Sequence, residues 1–108
     1  MAVGTIESVS ELVRKYYLLL IEAGIAVERI ILFGSYANGK PNESSDIDVA
    51  VILKKYSEDR FNTRLELMKY SREFEEVIEP HPFLASEFNK SDPFAFEIIK
   101  TGVEISLN

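Results

Sequence analysis

The sequence predicts a small α/β domain in which helices flank a mixed β-sheet. Two short apolar runs, residues 29–33 and 46–53, have the length and the β-branched content of buried strands. Segments with apolar residues at helical spacing lie before and after these runs. The chain has 108 residues, enough to bury a core of its own, and we expect a single domain over residues 1–108.

The first element is predicted to be a helix, because apolar residues from Val9 to Leu20 recur every three or four positions. Ser8 and Glu11 resemble a capping box at its start. Gly24 is typical of the residue that follows a helix. We therefore expect a helix that begins near Ser8 and stops before Gly24.

The middle of the chain is predicted to contain two strands joined by a loop, and then a helix. The apolar run 29–33 ends abruptly, and residues 36–45 are polar and rich in turn-forming types. The second strand covers residues 46–53, and a charged helix is expected over about 58–75. The apolar residues expected to face inward from this helix are Phe61, Leu65 and Met68.

The last third of the chain is predicted to form an extended segment, a helix and a short strand. Residues 77–84 look extended, but Pro80 and Pro82 lack amide donors on the same side of the strand, which favours a strand at the sheet edge. An Asp-Pro pair begins a helix over residues 92–101. A last strand is expected over residues 103–107.

The composition excludes several kinds of site. The chain has no cysteine and a single histidine, His81, which excludes disulfides, thiolate chemistry and a zinc site with two imidazoles. Its 18 acidic and 12 basic residues give a net charge of −6, so we expect no direct nucleic-acid binding. The N-terminal residues resemble no signal peptide, and no apolar run approaches the roughly 20 residues of a membrane span. We therefore expect a cytoplasmic protein with no membrane association.

Two aspartates at the start of the second strand are the strongest candidate site. Asp46 and Asp48 are two residues apart, so their side chains project from the same face of a strand. Carboxylate oxygens without histidine or cysteine favour Mg²⁺, with Mn²⁺ as an alternative, and such ions recruit substrate phosphates. Two ions about 3.5–4 Å apart would suit an in-line phosphoryl displacement.

Gly34 and Ser35 lie where the first strand ends, and ten residues separate this pair from Asp46. Glycine permits close approach of a backbone, and a serine hydroxyl with nearby amides can donate to phosphate oxygens. Taken singly, each feature is equally well explained as a turn or as solvated strand-end aspartates. Taken together, between two apolar strands, they favour a site for a metal ion and a triphosphate.

These residues resemble the signature of the DNA polymerase β-like nucleotidyltransferase superfamily. The resemblance rests on Gly34-Ser35, the gap of ten residues and the run Ser45-Asp-Ile-Asp-Val-Ala-Val51. It is most similar to the minimal nucleotidyltransferases, which are often encoded beside a helical HEPN-domain partner. The resemblance implies the nucleotidyltransferase fold and transfer of a nucleoside monophosphate from an NTP, with AMP from ATP as the expected case.

The resemblance also implies roles for individual residues and for a partner. Gly34 and Ser35 would hold the β- and γ-phosphates, with Lys40 and Ser45 completing the nucleotide-binding set. The metal-binding carboxylates would be Asp46, Asp48 and a third acid, for which Glu79 is the candidate. In paired systems of this kind the minimal protein is an antitoxin that adenylylates a hydroxyl of its HEPN toxin. A partner is expected to supply the acceptor here.

Two positions depart from the family pattern. Active members often carry arginines after the Gly-Ser pair, where this chain has Tyr36 and Asn38. Two guanidinium groups for anionic oxygens are therefore missing, and Lys40 could replace at most one charge. His81 lies two residues from Glu79, and we consider both assistance in proton transfer and an ordinary packing role for it.

Other functions remain open at the level of the sequence. The chain could be a catalytically weak or inactive binding module that neutralises or scaffolds its partner by contact, which the missing arginines favour. A metal-dependent phosphohydrolase would use the same carboxylates, with water in place of the acceptor. A nucleic-acid polymerase is disfavoured by the net charge of −6. A homodimer is compatible with so small a domain, although no residue demonstrates it.

Overall fold

The structure is a computed structural model that describes residues 6–37, 46–74 and 77–107. These residues form three helices and four strands in the predicted order. The helices are α1 (Ile6–Glu22), α2 (Arg60–Ser71) and α3 (Pro93–Thr101), and the strands are β1 (Val27–Phe33), β2 (Ile47–Leu53), β3 (Ile78–Leu84) and β4 (Val103–Ile105). None of these helices has both the length and the apolar character needed to cross a bilayer.

The four strands form one mixed sheet in the order β3-β2-β1-β4. β1 is antiparallel to both β2 and β4, and β2 is parallel to β3. A parallel pair requires a crossover connection, and α2, which lies between β2 and β3 in the chain, provides it. The arrangement confirms the predicted small mixed sheet flanked by helices.

One face of the sheet, which we call the core face, packs against α1 and α2. Because side chains alternate along a strand, every second strand residue contributes to this face. Its buried strand residues are Ile30, Leu32, Ile47, Val49, Val51, Leu53, Ile78 and Ile105. The hydroxyl of Tyr16 on α1 donates a hydrogen bond of 2.7 Å to the carbonyl of Leu67 on α2, which ties the two helices together inside the core.

The opposite face, which we call the site face, packs against α3. The buried residues of this second cluster are Ile31, Ala50, Ile52, Phe83, Phe88, Ala95 and Ile98. The Asp92 carboxylate accepts hydrogen bonds from the first-turn amides of α3, as the sequence predicts. A Cβ at Gly102 would lie 2.5 Å from Ile31 Cγ2, so glycine lets the chain turn tightly from α3 into β4.

β3 is an edge strand, which confirms the expectation based on its two prolines. The ladder to β2 includes the bond from the Ile47 amide to the Val77 carbonyl and the bond from the Ala85 amide to the Leu53 carbonyl. In a parallel ladder every second residue of a strand directs its backbone amide and carbonyl to the same neighbouring strand. The amides and carbonyls of the odd-numbered residues of β3 therefore point to β2. Pro80 and Pro82 lack only amides that would point away from the sheet.

The sequence-based prediction of α2 was wrong in its orientation. Phe61 and Leu65 were expected to face inward, yet their side chains are 70% and 48% exposed. The buried residues of α2 are instead Thr63, Leu67 and Ser71. The Thr63 hydroxyl accepts a 2.9 Å hydrogen bond from the amide of Ser57 in the preceding turn, which holds this stripe of the helix against the sheet.

The ends of three elements also differ from the predictions. Ser8 and Glu11 lie inside α1, so they do not mark its start, whereas Gly24 follows the helix with a φ of +84° as expected. α2 begins after the N-cap residue Asp59 and ends at Ser71, which makes it shorter than predicted. β4 ends at Ile105, two residues before the predicted end.

Candidate active site

Three carboxylates meet on the site face at the edge of the sheet where β2 and β3 begin. Asp46 immediately precedes β2, and Asp48 is the second residue of that strand. Glu79 is the second residue of β3 and is the register partner of Asp48. Because the two strands are parallel, their first residues lie at the same edge, and Asp46 is close enough to Glu79 to act on its carboxyl group. The structure therefore brings together the three acids that the sequence analysis selected.

The turn after β1 approaches Asp48 from the other side. Gly34 has a φ of +78°, in the left-handed region that favours glycine. A Cβ at this position would lie 2.6 Å from Asp48 Oδ2. Glycine is therefore required both by the backbone conformation and by the close approach of the carboxylate. Ser35 follows at once in the turn, where it is half-buried.

The pKa of Glu79 is raised above its ordinary value, chiefly because burial penalises the charged carboxylate. The neighbouring carboxyl group of Asp46 and the negative charge of Asp48 raise this pKa further, while His81 acts in the opposite direction. Arg64 on α2 lies near Glu79, with Nη2 3.4 Å from Oε1, but the two side chains are 41% and 37% exposed and solvent screens their attraction. The cluster therefore carries negative charge that a bound cation would neutralise.

His81 lies on β3 next to the carboxylate cluster. Its Nε2 is 3.3 Å from Asp48 Oδ1, so the ring faces the same carboxylate that Gly34 approaches. The ring also makes edge contacts with Phe33, at 5.1 Å between centroids, and with Phe94, at 6.0 Å. The sequence analysis left open whether His81 is functional, and the structure places it at the site.

The remaining site positions named in the sequence analysis lie either in the core or outside the described residues. Tyr36, which stands where the family often has arginine, is only 8% exposed and packs in the core cluster with α1. Its side chain therefore does not offer a polar group for phosphate in the way an arginine would. Asn38, Lys40 and Ser45 lie outside the described residues, so their roles stay predictions.

Arg64 and Phe94 were not singled out as site residues from the sequence. Arg64 reaches Glu79 from α2, and its buried Nε atom has no hydrogen-bond partner among the described residues. Phe94 is 44% exposed and lies beside His81 and Phe33. No local pattern could have identified Arg64, because its proximity to Glu79 depends on how α2 docks against β3.

The donor set fits a divalent cation. Asp48, Glu79 and His81 each offer one ligand atom, and these atoms lie within 4.8 Å of one another. Asp46 adds a further carboxylate next to Glu79. Carboxylate oxygens are the ligands that Mg²⁺ and Mn²⁺ prefer, and glycine at position 34 lets the turn lie against the Asp48 carboxylate without displacing it.

Residues 20–108 match the model of the family described as polymerase beta, nucleotidyltransferase. This match covers most of the chain, including β1, the Gly34 turn and both acidic strand ends. The chain therefore belongs to this nucleotidyltransferase family. The family assignment confirms the resemblance drawn from the Gly-Ser pair and the Asp-x-Asp pair, and it agrees with the fold.

A curated relative from Methanocaldococcus jannaschii, "Putative protein adenylyltransferase MJ1379", is 38% identical to this chain over 66 residues. The matched region is 61% of this chain and 65% of the relative. The chain thus spans slightly less than two thirds of the length of that protein.

Solved structures share the fold at low sequence identity. A chain in the crystal structure of a toxin-antitoxin with AMP-PNP superposes with a TM-score of 0.64 and 21% identity, covering 88% of this chain and 73% of that one. A chain in the structure of tri-AMPylated Shewanella oneidensis HEPN toxin in complex with MNT antitoxin gives a TM-score of 0.59 and 19% identity, covering 92% and 73%. These similarities establish that the nucleotidyltransferase fold predicted from the sequence is present.

Proposed function

We propose that this chain transfers AMP from ATP to a hydroxyl group of a partner protein. The observation that carries the proposal is the register pairing of Asp48 with Glu79, beside Asp46 and the Gly34 turn. The family is that of nucleotidyltransferases, and the Methanocaldococcus jannaschii relative bears the name of a protein adenylyltransferase. The substrate, the partner and the metal requirement belong to the proposal.

The proposed reaction assigns separate tasks to the carboxylates. Asp46, Asp48 and Glu79 would hold divalent cations, which supply charge neutralisation for the triphosphate when bound. Glu79 is also assigned to accept the proton of the acceptor hydroxyl. The hydroxyl oxygen forms a bond to the α-phosphorus, the bond from that phosphorus to the β-phosphate oxygen breaks, and pyrophosphate leaves with the electron pair.

The Gly34-Ser35 turn is proposed to bind the leaving part of the nucleotide. The turn lies against Asp48, and glycine permits a close approach of the backbone there. The Ser35 hydroxyl and the neighbouring amides would donate to the β- and γ-phosphate oxygens. We assign Lys40 and Ser45 to the same nucleotide-binding segment on the basis of the family resemblance.

A HEPN-type protein is the proposed acceptor, and this chain would then act as an antitoxin. The support comes from structural relatives, one of which is a complex of an AMPylated HEPN toxin with an MNT antitoxin and another of which contains AMP-PNP. We propose Mg²⁺ as the ion that accompanies ATP, two ions in all, with Mn²⁺ as an alternative.

A contact-only module is the second candidate function. The buried side chain of Tyr36 favours it, because the arginine often found at that position in active members is replaced here by a residue of the core. Such a module would keep the fold and neutralise its partner by binding alone. The clustered carboxylates are the feature that argues for catalysis instead, since their mutual repulsion needs a functional reason.

The test compares Asp48→Asn with Asp59→Asn as a matched control. Asp59 caps α2 away from the site, and asparagine is an equally good cap. We expect Asp48→Asn to reduce transfer of label from [α-³²P]ATP onto a co-purified HEPN-domain partner by at least about 100-fold, because it removes a metal ligand. Asp59→Asn should transfer label as the wild type does.

Calorimetric titration with a non-hydrolysable ATP analogue and Mg²⁺ accompanies the transfer assay. Mg²⁺-dependent binding of the analogue that is lost in Asp48→Asn would support a nucleotide site at the carboxylates. Wild-type labelling by Asp48→Asn would overturn the catalytic assignment. Neutralisation of the partner by a folded Asp48→Asn variant that transfers no label would instead favour the contact-only module.

A further inference from the structure

The position of His81 in the sheet places its ring beside the Asp48 carboxylate. On β3 its register partner is Ala50 of β2, whose small side chain leaves room on the site face. The imidazole occupies this room and reaches diagonally to Asp48, where Nε2 lies 3.3 Å from Oδ1. The contact is therefore a consequence of the strand register and of the small residue opposite His81.

The imidazole is oriented by its surroundings. The rings of Phe33 and Phe94 make edge contacts with it, at interplanar angles of 63° and 88° and centroid distances of 5.1 and 6.0 Å. Pro80 and Pro82 on either side have restricted φ angles and buried side chains, which fixes the backbone that carries the ring. An oriented imidazole next to two carboxylates is a preorganised donor and not a flexible surface side chain.

The donor atoms of Asp48, Glu79 and His81 are close enough together to share one metal ion. Two ligands at about 2.1 Å from one metal ion and at a right angle to each other are roughly 3 Å apart. The 3.3 Å between His81 Nε2 and Asp48 Oδ1 is compatible with two ligands of one ion, and the ligand atoms of both residues and Glu79 lie within 4.8 Å of one another.

We propose that Asp48, Glu79 and His81 form a mixed nitrogen and oxygen site that selects a first-row transition ion, such as Mn²⁺ or Co²⁺, over Mg²⁺. Mg²⁺ prefers oxygen ligands alone, whereas an imidazole ligand raises affinity in the order from Mn²⁺ to Co²⁺. The role of this ion in catalysis rests on the proposed function, but its binding does not. Asp46, beside Glu79, remains available for the Mg²⁺ that accompanies ATP.

Because the chain contains one histidine, an imidazole signal can come only from His81. The test is pulsed electron paramagnetic resonance on the full chain, prepared without a histidine tag and loaded with Mn²⁺ in the absence of nucleotide. We expect nitrogen coupling typical of a bound imidazole. Labelling the protein with ¹⁵N-histidine should shift the coupling frequencies, and this control changes no side chain. Absence of nitrogen coupling, or absence of Mn²⁺ binding, would overturn the proposal.

A second measurement tests the selectivity. His81→Gln keeps a polar side chain that can still hydrogen-bond to Asp48 but lacks the imidazole. We expect it to lower Co²⁺ affinity at least about tenfold and to change Mg²⁺ affinity by less than roughly threefold. Equal loss of affinity for both ions would contradict a ligand role and indicate a positioning residue. If the variant does not fold, the isotope experiment on the wild-type chain decides alone.

The two proposals fail in different ways. Nitrogen coupling with no transfer of label from ATP would support the metal site and contradict the proposed enzyme activity. Transfer that depends on Asp48 but is accompanied by no nitrogen coupling would contradict the metal site and leave the enzyme activity supported.

Discussion

β2 presents Val49 and Val51 to the core face and Asp48 and Ala50 to the site face. The same strand therefore contributes to two surfaces of opposite character, one residue apart. The core face is covered by α1, with 17 residues, and by α2, with 12, whereas α3 on the site face has nine. The shorter cover leaves the beginning of β2 and β3 accessible.

The core face stabilises the fold, whereas the carboxylates of the site face lower its stability. On the core face each strand contributes uninterrupted apolar side chains, and burial of such residues is the main stabilising contribution. On the site face three carboxylates are held close together, which costs stability unless a cation is bound. Removing an apolar side chain from the core face and a carboxylate from the site face should therefore change stability in opposite directions.

The largest expected effect is on the core face, with Leu32→Ala. Leu32 is fully buried on β1, so its truncation leaves a cavity and should lower the free energy of unfolding by about 2–5 kcal/mol. Leu65→Ala is the matched control, because Leu65 is 48% exposed on α2 and its loss should cost less than about 0.5 kcal/mol. Urea unfolding followed by circular dichroism measures both. Equal losses would contradict the observed orientation of α2.

A smaller effect is expected where the turn after β1 meets the site. Gly34→Ala and Gly24→Ala both place alanine at a positive φ, and each should lose about 1–2 kcal/mol of stability. Only at Gly34 does the added Cβ meet another group, Asp48 Oδ2 at 2.6 Å, whereas nothing lies within 4 Å at Gly24. Gly34→Ala should therefore also displace the carboxylate and weaken Mn²⁺ binding roughly tenfold.

The comparison of the two glycine variants separates backbone strain from the close approach to Asp48. Stability is measured by urea unfolding and Mn²⁺ binding by paramagnetic titration of the same samples. If both variants bound Mn²⁺ as the wild type does, Asp48 would have to move aside without consequence for the site. If both lost binding equally, the loss would follow from general destabilisation and not from contact with Asp48.

Most of the fold followed from local sequence patterns. The apolar runs predicted β1 and β2 because strands buried on both faces need apolar residues at every position. The Asp92-Pro93 start of α3 and the two prolines of the edge strand β3 were also predicted correctly, since both features act through the backbone of the residues concerned.

Features that depend on packing between distant elements did not follow from the sequence. α2 carries more apolar residues on its exposed side than on its buried side, and its docking against the sheet buries Leu67 instead of Leu65. The same docking brings Arg64 to Glu79, which no spacing rule indicates. Asp46 and Asp48 could be paired from the sequence because residues two positions apart in extended chain project from the same face. The contact of His81 with Asp48 could not, because it depends on the register of β2 against β3.

The smallest expected effect on stability is on the site face, where a substitution should stabilise the protein, whereas the substitutions above destabilise it. Glu79 has a raised pKa in the folded protein, so its contribution to stability is fully present below its unfolded-state pKa of about 4.3 and is lost as the pH rises through the folded-state value. Glu79→Gln removes the charge and should make the metal-free protein slightly more stable than the wild type near pH 8. The difference should shrink as the pH is lowered. Thermal unfolding in a chelator measures it, with Glu97→Gln on the exposed side of α3 as the control for net charge.

Addition of a divalent cation should make the wild type more stable than Glu79→Gln. An ion that binds only the folded state stabilises it, and the wild type, which keeps the Glu79 carboxylate, gains more than Glu79→Gln does. The site face would then be destabilising in the free protein and stabilising in the loaded one, whereas Leu32→Ala on the core face should cost the same in both. If Glu79→Gln were less stable than the wild type already in chelator, the interaction of Glu79 with Arg64 would outweigh its repulsion from Asp46 and Asp48.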